Sequence, residues 1–181
     1  VRWLLDKAHT RIGFSVKHMI VTTVRGHFKS YTGALQLDTH DFTRSTFAGD
    51  IDVASIDTGS ADRDSQLRTN DFLAVPAYPK LTFLSTHVSP KGSGAYVVHG
   101  ELTIRGVTRA VGLEVAYPGT SKDPDGKTVA NLSVRGTVKR KDFGVNFNAL
   151  LEAGGLSVGD TVKIELEVRA VLEEAASADG Q

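Results

Sequence analysis

Between residues 162 and 172 apolar side chains take every second place, at Val162, Ile164, Leu166, Val168 and Ala170. Charges fill the gaps at Lys163, Glu165, Glu167 and Arg169. A side-chain period of two marks a β-strand with one dry and one wet face. The rhythm recurs over residues 10–20, where Ile12, Phe14, Val16 and His18 share a face. Val21–Val24 continues extended, and Gly26 suits a turn or bulge. The same period runs through residues 28–38, 46–56, 80–88, 95–104, 110–117 and 128–139. About eight strands in mostly sequential order predict an antiparallel sheet that closes on itself as an up-and-down barrel, which leaves no sticky edges.

The rhythm breaks once. Residues 60–70 do not alternate and suit a short helix, with Ser60 as its cap and Asp62 and Asp64 in the first turns. Pro76 and Pro79 keep the next stretch irregular. Residues 90–94 read as a hairpin loop, Arg105-Gly106 as a turn, 118–127 as a polar loop and 150–159 as loop-like. One domain over residues 1–172 and a frayed tail over 173–181 complete the layout. Strands of ~10–12 residues at ~3.3 Å each, tilted by ~40°, make a wall roughly 25–30 Å tall. Gly33, Gly49, Gly100 and Gly136 fall on the dry face, where they leave volume unfilled or bend the sheet. The expected interior is a tall apolar tube.

Composition narrows the function classes. With 21 Lys+Arg against 21 Asp+Glu in 181 residues, the formal net charge is zero and a nucleic-acid footprint is absent. Lys7, Arg11, Lys17, Arg25 and Lys29 read as a solvated face. The absence of cysteine excludes disulfides and thiolate chemistry. No apolar run approaches the roughly 20 residues of a membrane helix. The chain shows no leader, so the compartment stays open between the cytoplasm and, after removal of a signal peptide, the periplasm or outside. Nucleophile-elbow, P-loop and dinucleotide motifs are missing, so no enzyme activity and no cofactor are expected. The six histidines form no His-x-His or His-x3-His pair, and no metal site is expected.

Short segments then fall in a recognisable order: Phe14-Ser-Val-Lys-His18, Val24-Arg-Gly-His-Phe28, Arg63-Asp-Ser-Gln-Leu67, Asn70-Asp-Phe72 and Tyr78-Pro79. Leu81-Thr-Phe83, Gly100-Glu-Leu-Thr-Ile-Arg-Gly106 and Arg140-Lys-Asp-Phe-Gly144 follow. Each is weak alone. Together, from about residue 3 to 167, they resemble the YceI-like family of lipid-binding proteins. The resemblance implies an all-β, eight-stranded lipocalin-like barrel that carries or sequesters a polyisoprenoid, an isoprenoid quinone or another long-chain lipid. It implies no established catalysis, and the family's tendency adds a homodimer as an expectation; release of a bound chain without exposing it to water adds transient contact with a membrane or a partner.

Candidate ligand contacts are Phe14, Val16, Phe28, Leu67, Phe72, Phe83, Leu102 and Phe143, each of which also suits ordinary barrel core. Phe72, after the helix, suits a plug or an entrance. His18 suits either a hydrogen-bonded core position or a donor to a quinone head group. Arg63 suits either an ion pair with Asp64 that pins the helix or a contact to an anionic or carbonyl head group. Asn70, Asp71, Arg140 and Asp142 divide between polar anchors and rim contacts in the same way. Two other functions stay open: an enzyme acting on a bound isoprenoid or fatty amide, and a filled barrel that serves as an interaction module.

Overall fold

Alternation becomes strand wherever it runs long enough. In this computed structural model, which describes residues 2–18, 22–145 and 158–173, the chain forms β1 (Arg2–Leu5), β2 (Arg11–His18), β3 (Thr22–Phe28), β4 (Tyr31–Gln36), β5 (Thr46–Asp52) and β6 (Ile56–Asp57). Helix α1 (Ala61–Leu67) follows, then β7 (Lys80–Gly92), β8 (Ala95–Ile104), β9 (Val107–Ala116), β10 (Thr120–Lys122), β11 (Thr128–Lys139) and β12 (Val158–Glu173).

Several segments are halves of one bent strand. β1 and β2 lie along the same edge of β12, pairing Leu5 with Ala170 and Arg11 with Glu167, and the 3-10 turn Lys7–His9 separates them. β3 pairs with β2 and β6, while β4 pairs with β1 and β5. β9 and β10 share one edge of β11. Counted this way, eight antiparallel strands follow one another in chain order. The ladder from Val129↔Val171 to Lys139↔Thr161 joins β11 to β12 and closes the ring. The expected barrel is therefore present.

The two ends of the barrel differ. At one end Trp3, Leu37, Phe42, Val115, Tyr117, Ala130 and Ala170 belong to a solid core. Phe42 forms its centre, stacked on Tyr117 at 4.4 Å and tilted against Tyr96 at 4.5 Å. It is delivered by the 3-10 turn Phe42–Arg44, which Asp41 caps by accepting from the Thr43 N–H at 3.1 Å. At the other end sit α1, the chain that follows it, and the 3-10 turn Arg140–Phe143.

Four local readings change. Gly26 makes no turn or bulge: it pairs with Phe14 inside β3, and the Phe14 ring fills the place of its missing side chain. β7 runs on through Pro90, so the hairpin shrinks to Ser93 and Gly94, the latter at φ +68°. β10 lies in the segment read as polar loop, and β1 in a stretch too short to show a period. β12 begins at Val158 and includes Glu173. The rest of the expected 150–159 loop and residues 174–181 of the tail lie outside the described residues.

The dry-face glycines do two things. A Cβ on Gly100 would lie 2.5 Å from the Phe83 ring and 2.6 Å from the Leu84 carbonyl oxygen. Gly33, paired with Gly49, has nothing nearer than 3.5 Å. Gly100→Ala is therefore expected to lower unfolding free energy by about 1–3 kcal/mol through overpacking. Gly33→Ala should change it little; urea titration of both variants decides.

Hydrogen bonds from Lys80 and Ser30 hold the Asp52 carboxyl below its ordinary range, and Lys29 with the Gly59 N–H does the same for Asp57. A pKa lowered by folding adds stability above the unfolded value, and this is lost as pH falls through the folded one. The urea midpoint should drop on acidification below about pH 4. Asp52→Asn should flatten that acid limb, and an unchanged limb would count against the assignment.

Candidate functional site

Inward-facing side chains of β1 to β9, β11 and β12 surround a cavity of about 400 Å³. Its lining is almost wholly apolar. Phe14, Val16, Phe28, Arg63, Leu67, Phe72, Phe83, Leu102 and Phe143 all border it. The His18 side chain lies outside the described residues.

Burial divides these residues into two groups. Phe72, Leu102 and Phe143 are buried in the usual sense. Phe14, Val16, Phe28 and Phe83 point inward yet are only half-buried. A wall side chain stays half-buried when no atoms face it, so these rings border a void. Gly33 and Gly49 sit opposite each other on neighbouring strands and widen the void by carrying no side chain. Phe14 and Phe28 meet at 5.6 Å between centroids.

Alternation had already placed Leu35, Phe47, Ile51 and Ile104 on dry faces, and they line the cavity too. They went unnamed among the candidates because phase alone does not separate a cavity wall from packed core. Leu5 had no such signal.

Polar groups gather at the α1 end, where Thr58, Arg63, Gln66 and Arg140 reach the lining. The expected Arg63–Asp64 ion pair does not form; both residues bind Thr58 instead. Asp64 accepts from the Thr58 N–H at 2.9 Å and from its hydroxyl at 2.5 Å. Arg63 donates from Nε to Thr58 Oγ1 at 2.8 Å and from Nη2 to the Thr58 carbonyl at 2.7 Å. Neighbours in sequence on a helix point apart, so a third residue has to connect them. Ser60 caps α1 as expected, accepting from the Arg63 N–H.

Arg140 is buried and acts as an anchor. Its Nε donates to the Gly159 carbonyl and its Nη1 to the Val145 carbonyl, each at 2.8 Å. Burial lowers its pKa, opposed by Asp160. The Asn70 carbonyl accepts from Arg105 and the Asp142 carbonyl from Arg109, while Asp71 is exposed. His87 and His99 stack on neighbouring strands at 4.2 Å, and His99 meets Ser89 Oγ at 3.0 Å. Among the described residues no three metal-ligating side chains converge.

A closed antiparallel barrel with an apolar cavity and a few polar groups at one end is the architecture of a binding protein for an apolar small molecule. The YceI-like domain matches residues 3–170, and the chain belongs to that family. It is 38% identical over 161 residues to a UPF0312 protein of Staphylococcus epidermidis, covering 88% of this chain and 91% of that one. The YceI protein of Campylobacter jejuni superposes with a TM-score of 0.75 at 30% identity, covering 93% of this chain and 96% of that one. A polyisoprenoid binding domain from Saccharophagus degradans, implicated in plant cell wall breakdown, shares the fold. Its TM-score is 0.69 at 14% identity, over 96% of this chain and 99% of that one.

The Thr58 arrangement has a measurable consequence. Asp64→Ala leaves the Thr58 N–H and hydroxyl without their acceptor inside the protein, a loss of about 1–3 kcal/mol. Amide exchange across α1 should rise in the same variant. Unchanged protection would mean that Thr58 does not hold the helix.

Proposed function

We propose that this barrel binds a long-chain apolar lipid, a polyisoprenoid or an isoprenoid quinone, and carries or sequesters it. One observation bears most of the weight: aromatic side chains that face inward around the cavity remain half-buried, so the fold leaves an apolar surface for something else to cover. The hydrocarbon lies along Phe14, Val16, Phe28 and Phe83, between the aromatic end and Leu67, Phe72, Leu102 and Phe143. Its head group points toward Arg63, whose Nη1 has no hydrogen-bond partner among the described residues, and toward the α1 end where the His18 strand finishes. The polyisoprenoid binding domain that shares this fold supports the ligand class. Affinity comes from transfer out of water, ~0.8 kcal/mol per buried CH₂. Release therefore calls for a membrane, which receives the chain without exposing it.

Binding is favoured over catalysis on the same geometry. The Thr58 hydroxyl donates to Asp64 and accepts from Arg63, so these three groups are engaged in fastening α1. The domain that does this binding is the barrel of residues 1–172, and a homodimer of such barrels is part of the proposal.

Organic extraction of freshly purified protein, with mass spectrometry against a control protein, tests the reading. A stoichiometric prenyl or quinone species is expected. An extract that stays empty after incubation with prenyl lipids and quinones overturns it. Phe83→Ala separates a void from a filled core. In a filled core the change costs about 3–5 kcal/mol. Here the loss should be smaller, with the ligand preference moving toward bulkier chains.

A further inference from the structure

We infer that the lipid chain enters sideways, through a seam between β1 and β4, rather than past the helix at the end of the barrel. The inference rests on the binding function proposed above and concerns how the same cavity is reached.

The boundaries that the described residues form can be compared. One end is filled by Phe42 and its aromatic neighbours. The other is fastened from several sides. Arg68 donates to the Ala54 carbonyl at 3.0 Å and to the Ile56 carbonyl at 3.3 Å. Arg105 donates to the carbonyls of Asn70 and Gly144. Phe72 and Phe143 lie beneath these contacts at 6% and 2% exposure. In the wall, β9 and β11 part beyond Glu114↔Arg135, but buried Leu113 and Phe143 fill the inside and Arg109 bonds across the gap.

The seam between β1 and β4 is different. One paired position, Trp3 with Leu35, joins the two strands. Beyond it the chain swings into the 3-10 turn Lys7–His9, and the Tyr31 hydroxyl reaches over to the Thr10 carbonyl at 3.2 Å. Gly33, an inward position of β4, lines the cavity and is itself exposed, with Leu5 across the seam. The strands on either side are firmly held. β1 is paired to β12 along its length, and β4 to β5 from Tyr31 to Gln36. The seam can therefore part without breaking either neighbouring ladder.

The outer surface beside it suits a hydrocarbon. Leu84 pairs with Ala48 and Ala48 with Ala34. Leu4 follows Trp3 in register and so falls opposite Ala34. Leu4 and Leu84 are 43% and 59% exposed, large apolar side chains left in water. The rows to either side are polar, Thr32, Asp50 and Thr82 on one flank and Gln36 and Thr46 on the other. A single apolar track thus leads over the wall to the seam. A chain crossing it is partly shielded from water, and its transit is less costly than through a polar rim.

A reversible staple tests the route. In Leu5→Cys/Gly33→Cys the new thiols face each other across the seam. Uptake of a pyrene-labelled long-chain alcohol from phosphatidylcholine vesicles is followed with the same protein oxidised and reduced. Oxidation should slow uptake by about tenfold, and reduction should restore it, as expected when opening of a gate limits the rate. Should that pair prevent folding, Leu4→Cys/Ala34→Cys spans the seam from outside and serves the same comparison. Equal rates in the two redox states overturn the lateral route. So does faster uptake by Arg68→Ala, which loosens the helix end. If reduced and wild-type proteins take up no probe at all, the binding function itself falls, and the gate with it.

Discussion

β12 is the strand on which the rest of the barrel depends. It carries β11 along one edge and both β2 and β1 along the other, so it closes the ring and bridges the break at Lys7–His9. A strand paired on both edges inside a barrel has no free edge, and each of its residues belongs to one of two surfaces. That is why its alternation is the cleanest in the chain. Ile164, Leu166 and Val168 face the interior, while Glu165 and Glu167 meet Arg25 and Arg135 outside. These exposed ion pairs contribute little. The ordering comes from the ladder and from the apolar face it sustains.

Closure creates a second constraint. Eight strands enclose more volume than these inward side chains fill, and the chain resolves this differently along its length. At one end the turn at Phe42 inserts an aromatic ring from outside the wall, and Tyr96 and Tyr117 complete the packing. Toward the helix Gly33 and Gly49 withhold side chains, and the surrounding rings are left half-covered. Stability is thus concentrated where the core is solid. The cavity end is secured mainly by hydrogen bonds to backbone carbonyls, at Thr58, Ala54, Ile56 and Asn70. Such directional bonds hold a short helix in place without filling the space below it.

Much of this was legible as period-two alternation, because that signal is local. Long strands and the dry face follow from it, and the break in it marks α1 with its Ser60 cap. What escaped was set by contacts between distant residues. β1 is four residues long, and its partners are β12 and β4 from opposite ends of the chain. Gly26 looks like a bulge residue until Phe14 is laid over it. Phe42 sits in a polar loop whose inward swing depends on the caps at Asp38 and Asp41. Arg63 and Asp64 invite a direct pairing, but helix geometry sends both to Thr58. Nor does phase tell a lining residue from a packed one, since Leu35 and Leu37 alternate alike, yet Leu35 lines the cavity and Leu37 is packed in the core.

A cavity lined by half-covered aromatic rings is a cost the folded chain carries when empty, since each loses the packing contacts of a full core. Ligand binding recovers those contacts and adds stability by mass action. The same economy explains why polar groups are few and kept to one end. A polar group along the tube would need a partner in every bound state, whereas Arg63 and Arg140 are already satisfied in large part by carbonyls and Thr58. An interior of this kind discriminates by length and width, and leaves head-group choice to the residues around α1.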